Sequence, residues 1–362
     1  MADSGADAAA QGDGEHSRRG AANRLALRLA NSPEIGIIVA VIVAFVVFTI
    51  INPLFASVSD LQSPLGPDLA GFGILAVGES FAIITGGIDL SVGSLTAFFC
   101  VASAWLNVSA HVPVLLVFLL TVLAGAAVGL HHAFWITRFG VPPFVITLVS
   151  FIFFMGADEA LAPNPIAITS PTFLALSGST VAGVPIAVIV FIVIALLAWF
   201  FLERTYLGRQ VYAVGGSHEA ARLAGIPTNR RIVLAYVVSA SCAAVVGMIV
   251  ASKLTSGTAD SVSGWELRAI ASCVIGGVSL IGGQGRIIGV VAGAALLVVL
   301  NDGLVAVNVN AYYQSMVVGF VLFIAIILDA LRTRRTARSG VRGAVAAARE
   351  AESGGLGGGQ EA

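Results

Sequence analysis

Few side chains in this chain of 362 residues can do chemistry, and those few stand in an apolar background. Glu79 falls inside a run of apolar residues. Asp89 and Ser91 follow a glycine pair in Gly86-Gly87-Ile88-Asp89-Leu90-Ser91-Val92-Gly93. A carboxylate in such surroundings is costly unless it is paired, hydrogen-bonded or open to water, which makes an ionisable residue there a functional candidate. Two readings stand side by side. Glu79 is either a pathway group or a packing group bonded to a neighbouring helix in a neutral or proton-sharing state. The glycine-led octamer is either a ligand site or a capped helix break, since glycines let the backbone turn and Asp89 and Ser91 can satisfy the groups exposed there. His131 and His132 lack a second ligand pair at metal spacing and read as helix-end residues. Cys100, Cys242 and Cys273 read as small apolar side chains, so no metal site is expected.

The chain contains no GxxxxGK[ST] phosphate loop, no HExxH and no GxSxG, and its one lysine, Lys253, stands in no phosphate-binding context. No catalytic residue and no cofactor are expected in this chain, and any nucleotide chemistry must come from another subunit.

The elements that position these residues belong to a polytopic, all-α membrane protein. Charged residues are 11% of the chain, against roughly 25% in soluble domains, while the apolar fraction is 57% and the mean hydropathy +0.96. Apolar runs fall at 35–51, 69–86, 90–107, 113–136, 143–161, 184–202, 232–252, 267–281, 287–305 and 313–331. They predict about ten transmembrane helices, or as few as about eight where a run such as 267–281 is too short to cross and forms a half-helix. The first run has no small-residue cleavage signal after it and reads as a retained anchor. The net charge of −1 gives no indication of a nucleic-acid partner.

With the N-terminus inside, every Lys and Arg except Lys253 and Arg268 falls in a cytoplasmic segment, as the positive-inside rule requires. Residues 1–31 and 332–362 are expected to be disordered cytoplasmic tails flanking a transmembrane domain over 32–331. The Pro-, Ser- and Thr-rich stretch 162–183 suits an ordered external loop. Many of the 41 glycines lie within the runs, where small residues let helices approach closely; Gly289-x-x-x-Gly293 reads as helix packing. A second string, Gly276-Gly277-Val278-Ser279-Leu280-Ile281-Gly282-Gly283, shares the pattern GG-[IV]-x-L-x-x-G with the first and hints at an internal repeat.

The longest polar interruption is 203–231. Gly215-Gly216 predicts a turn there. Ser217 can cap a helix beginning at His218, with Glu219 in its first turn and Gly225 and Pro227 ending it. A helix about two turns long is not stable alone and must dock on something.

These residues resemble a family. Glu219-Ala220-Ala221-x-x-x-Gly225 is similar to the EAA loop of ATP-binding-cassette (ABC) importer permeases. Gly208-Arg209-x-Val211-Tyr212-Ala213-Val214-Gly215-Gly216 and Gly86 to Ser94 (GGIDLSVGS) resemble the branch that carries ribose, xylose and related sugars. So do Val141-Pro142-Pro143-Phe144-Val145, Ile275 to Leu280, Gly282 to Arg286, Leu300-Asn301-Asp302-Gly303-Leu304 and Tyr312-Tyr313-Gln314. The similarity runs in order from about residue 35 to residue 331. It implies a multi-pass permease of the bacterial inner (plasma) membrane with both termini cytoplasmic. This permease would pair with a second copy and form a monosaccharide pathway through membrane lipid. A cytoplasmic ABC ATPase would hold ATP and Mg, and a periplasmic or lipid-anchored sugar-binding protein would deliver the sugar. Ser217, Glu219, Ala220, Ala221, Arg222 and Gly225 would be the coupling residues. Glu79, Gly86, Gly87, Asp89, Leu90, Ser91, Gly93, Gly276, Gly277 and Asn301 would be the signature or pathway residues. Arg268, Asp302, Met155 and Glu79 depart from the family pattern. The rival reading is an ion-coupled secondary transporter in which Glu79 and Asp89 bind the coupling ion; an intramembrane enzyme using the same carboxylates is a third.

Overall fold

In hydrocarbon the backbone must satisfy its own hydrogen bonds, so the long apolar runs fold as helices. The computed structural model describes residues 33–327 apart from 260, 311, 315, 318, 322, 325 and 326. The expected tails, 1–31 and 332–362, lie outside the described residues.

Helix α1 is Pro33–Ile51, followed by short turns over 53–65 that lead into α2, Gly66–Ile84. Next come α3 (Val92–Val108), α4 (Val114–Phe139) and α5 (Pro143–Leu161). The connection after α5 holds strand β1 (Ile166–Ala167), helix α6 (Pro171–Gly178) and the small hairpin of β2 (Thr180–Val181) and β3 (Val184–Pro185). Helix α7 (Ile186–Trp199) ends in a wide turn over Phe200–Arg204 and is followed by α8 (Tyr206–Gly216) and α9 (His218–Leu223). The chain continues with α10 (Thr228–Lys253), β4 (Ser256–Gly257), α11 (Trp265–Ile275) and α12 (Ile287–Ala306).

Among the described residues, seven helical stretches are long and apolar enough to cross a membrane. They correspond to α1, α2, α4, α5, α7, α10 and α12, and the 17-residue α3 is a shorter apolar helix. The run 267–281 folds as the 11-residue α11, roughly 16 Å long at 1.5 Å per residue, and is therefore a half-helix. The last run is helical where it is described, between 312 and 327.

Helices α2 and α10 form the centre. Nearly all of α2 is buried, and α10 packs against α4, α3 and α2. The α4–α10 contact is backbone on backbone. A Cβ at Gly125 would lie 2.7 Å from the Ala240 carbonyl oxygen, and one at Gly129 would lie 2.6 Å from the Val237 Cα. Small residues serve the same purpose in membrane helix interfaces generally, where dispersion replaces the hydrophobic effect. Around this centre α12 packs on α1 and α11, α5 on α3, and α7 on α2. Leucine, valine, isoleucine and phenylalanine stand exposed along α1, α4, α5 and α7, the pattern of helices facing lipid.

Polar contacts between distant segments gather at the two ends of the helices. At one end β1 pairs antiparallel with β4, placing Ile166 opposite Gly257 and Ala167 opposite Ser256. There also Lys253 pairs with Asp68, Gln62 Nε2 donates to the Gly183 carbonyl at 2.8 Å, and Asn52 Nδ2 to the Ala306 carbonyl at 2.9 Å. At the other end Arg286 lies 3.5 Å from Glu34, and the Ile287 amide donates to Glu203 Oε1 at 3.3 Å.

One expectation for the loop 203–231 is corrected. Gly215-Gly216 is the last turn of helix α8 and not a loop turn, and Ser217 joins α8 directly to α9. At Gly215 other backbones press where a Cβ would stand, as described next.

Candidate functional site

The chain leaves α2 through Gly86, whose φ of +87° suits a residue without a Cβ. The Gly87 amide donates to the Ala82 carbonyl at 3.0 Å and the Gly86 amide to the Ile83 carbonyl at 2.9 Å, the paired bonds of a Schellman end. Helix α11 ends by the same pair of bonds, Val278 to Cys273 and Gly277 to Val274, with φ of +85° at Gly277. The left-handed residue is the first glycine of one pair and the second of the other. The two strings therefore share turn chemistry but do not superpose residue for residue at the break.

Just past the first break, Asp89 is fully buried and bonded on both oxygens. Its Oδ1 accepts from the Ser91 amide at 3.0 Å and from Ser91 Oγ at 2.5 Å, and its Oδ2 accepts from Ser239 Oγ of α10 at 2.9 Å. The Asp89 amide donates to Glu79 Oε1 at 3.1 Å. Glu79 and Asp89 are thus brought together inside the protein, and Glu79 Oε2 has no hydrogen-bond partner. Ser91 bonds Asp89 and makes no side-chain cap for α3, while Leu90 is half-buried. Nearby, Thr147 Oγ1 donates to the Ile88 carbonyl at 3.2 Å. His132, expected at a helix end, is fully buried, 2.7 Å from Ser150 Oγ and edge-on to the ring of Tyr236. The Tyr236 hydroxyl is buried and unpartnered, and a Cβ at Gly87 would overlap it.

Gly93 and Gly276 are close-approach residues. A Cβ at Gly93 would overlap the Glu266 carboxylate, and one at Gly276 would lie 2.5 Å from the Gly289 carbonyl oxygen. Gly289-x-x-x-Gly293 is thus used within the chain, against the end of α11. Arg268 lies 5.5 Å from the ring of Phe72, which stacks on Trp265. Asn301 stands apart from the buried cluster. It donates to Asp302 at 3.1 Å and lines, with Asn52, Asp60, Asp68 and Asp302, a cavity of about 420 Å³ at the end of the helices where β1 meets β4.

Three glycine pairs meet at the opposite end. The Gly283 amide donates to the Ile84 carbonyl at 2.9 Å, tying the break after α2 to the loop after α11. A Cβ at Gly215 would overlap that same carbonyl oxygen and lie 2.5 Å from the Gly283 nitrogen. A Cβ at Gly282 would lie 2.9 Å from both the Gly86 Cα and the Gly215 carbonyl oxygen, and one at Gly283 would lie 2.7 Å from the Gly216 Cα. The Tyr212 hydroxyl adds a bond to the Gly285 carbonyl at 2.9 Å.

Helix α9 projects from this junction. Ser217 Oγ accepts from the Ala220 amide at 3.2 Å, and the helix ends through Gly225 at φ +78°. Ala221 is buried against the body, whereas Glu219, Ala220, Arg222 and Gly225 are exposed and Leu223 is 80% exposed. Arg222 and Glu219 lie 3.7 Å apart with both side chains in the open, a pair that contributes at most about 0.5 kcal/mol.

Reasoning from sequence missed Ser239, Tyr236, His132, Gly215 and Gly282 as members of these sites. For Ser239 and Tyr236 a signal exists. Tyr236, Ser239, Ala240, Ala243, Ala244 and Gly247 recur at helical spacing in one apolar run, marking its interior face.

Comparison with known proteins follows the same lines. Residues 69–326 match the family described as branched-chain amino acid transport system / permease component. The D-allose transport system permease protein AlsC of Escherichia coli (strain K12) is 35% identical over 259 residues, 71% of this chain and 79% of that protein. The ribose import permease protein RbsC of Haemophilus influenzae is 32% identical over 80% of this chain and 91% of its own length. RbsC of Bacillus subtilis (strain 168) is 34% identical over 82% and 91%. No solved structure matches the chain. With the match spanning the helical body and such identities over most of its length, this multi-pass membrane protein belongs to the transport-system permease family.

Proposed function

We propose that the chain is the translocation subunit of an ABC importer for a monosaccharide of the ribose or allose class, coupled to a separate ATPase through α9. Support for the sugar class comes from the relatives, which are named for ribose and D-allose. The observation that carries the coupling assignment is α9 itself. It is a capped helix of six residues with its outward face bare, at the end of the helices where the arginines cluster. A short helix seated in a partner's groove passes that partner's closure to the membrane helices as a rigid-body movement.

In this reading two copies of the chain form the pathway in a bacterial plasma membrane, with both termini in the cytoplasm. ATP and Mg sit on the partner ATPase, a periplasmic or lipid-anchored binding protein delivers the sugar, and this chain catalyses nothing. The test is uptake of labelled D-ribose and D-allose into proteoliposomes containing the chain with its ATPase and binding protein. Uptake should require ATP, and Glu219→Ala should lower it roughly 5-fold or more without lowering the amount of folded chain. Proton-driven uptake by the chain alone would overturn the proposal in favour of a secondary transporter using Glu79 and Asp89.

A further inference from the structure

We infer that Gly215 is a positioning residue for coupling: its bare backbone is the contact through which movement of α8 and α9 reaches both helix breaks at once. This inference rests on the reading of α9 as the coupling helix and adds the route by which its motion enters the membrane domain.

The argument is one of reach and stiffness. Helix α9 follows α8 with only Ser217 between them, so a push on α9 is delivered to the last turn of α8. That turn rests on two segments of different origin. One is the Ile84 carbonyl at the end of α2, and the other is the Gly283 amide in the loop leading to α12. These two groups are already hydrogen-bonded to each other, so Gly215 bears on a closed pair and not on either partner alone. Backbone atoms have no rotamers to absorb a displacement, and a close-packed contact passes movement on instead of dissipating it.

What lies beyond each partner gives the contact its consequence. Beyond Ile84 the chain makes the Gly86 break and then Asp89, which holds Ser239 on α10 and, through its amide, Glu79 on α2. Beyond Gly283 it runs to α12, whose far end lines the cavity containing Asn301 and Asp302. A shift of Gly215 therefore acts on the buried polar cluster and on the helix leading to the opposite end. Tyr212, one turn earlier on α8, donates to the Gly285 carbonyl and ties α8 to the same loop that carries Gly283.

Gly216 supplies the control. It sits in the same helix end, yet a Cβ placed on it meets nothing within 4 Å. Alanine at either position changes helix propensity alike, and only alanine at 215 intrudes on the junction.

The test uses the assembled importer in nanodiscs, with a nitroxide on Ile281→Cys, which is 70% exposed beside Gly282, while the native Cys100, Cys242 and Cys273 are buried. Addition of ATP with Mg should change the label's mobility in the otherwise unsubstituted complex. Gly215→Ala should reduce that change roughly 2- to 30-fold, the range for residues that carry coupling, while the complex still hydrolyses ATP. Gly216→Ala should leave the change intact. Tyr212→Phe removes a single hydroxyl and serves if Gly215→Ala fails to fold; it should reduce the change in the same direction by a smaller factor. Equal responses from Gly215→Ala and Gly216→Ala, or an unaltered response in Tyr212→Phe, overturn the inference and leave the coupling reading standing. Failure of the unsubstituted chain to bind an ATPase overturns both.

Discussion

Asp89 accepts three hydrogen bonds in a site closed to solvent, so its removal strands buried donors. Each unsatisfied group costs about 1–3 kcal/mol. Asp89→Ala is therefore expected to destabilise the protein by about 3 kcal/mol or more, visible as a fall in melting temperature in detergent. Asp89→Asn keeps one acceptor oxygen and should cost about 1 kcal/mol. An unchanged melting temperature in Asp89→Ala would show that water takes over those bonds. Tyr212 carries a pH prediction. Burial, with the Glu203 carboxylate adding to it and Arg286 opposing, pushes the phenol up to about 12. The fold thus favours the neutral hydroxyl, and the contribution is complete below the ordinary value of about 10 and is lost as pH rises through about 12. The melting difference between the unsubstituted protein and Tyr212→Phe should be constant between about pH 7 and about pH 9 and shrink above about 10. The polarity of Glu79 and Asp89 was legible in the sequence because a carboxylate in an apolar run is conspicuous. Their partner Ser239 was not, since it lies 150 residues from Asp89 and a serine in a membrane helix is unremarkable.

Glycine placement separates helix pairs that touch from helix faces that meet nothing. Gly129→Ala forces a methyl into the α10 backbone and should cost about 1–3 kcal/mol, as overpacking does. Gly156→Ala on α5 meets nothing within 4 Å and should be neutral or slightly stabilising. Melting of the two variants side by side checks the α4–α10 contact, and equal values would argue against it. At this scale the sequence read well where length decided the matter. The long runs became spanning helices, and the shortness of 267–281 pointed to a half-helix. It read less well where a glycine pair had to be interpreted without its neighbours. Gly86-Gly87 and Gly276-Gly277 break the chain with a left-handed glycine, whereas Gly215-Gly216 stays helical to the end of α8, and Gly215 answers to a contact from segments about 70 and 130 residues away in the chain.

The whole molecule is polar at two ends and apolar between them. The proposed function puts α9 on the cytoplasmic face, and on that proposal a membrane-impermeant maleimide should label Leu223→Cys only from the inside and Val181→Cys only from the outside of cells; both positions are exposed. Labelling of both from one side would invert the topology. The division into two polar ends was legible because charged residues interrupt the apolar runs. The ribbon of β1 and β4 was not, since two-residue strands carry no periodicity to detect.

That ribbon fixes the meaning of α10. The helix begins four residues after Ala224 closes α9, runs roughly 39 Å at 1.5 Å per residue, and passes through β4 into the pairing with Ile166 and Ala167. It behaves as a shaft keyed at both ends. One extra residue anywhere along it would turn everything beyond by about 100° and carry Ser256 and Gly257 off their partners. The length of α10 is therefore a phase setting between the two ends of the molecule, and a deletion or insertion there should unkey them even where every buried side chain is kept.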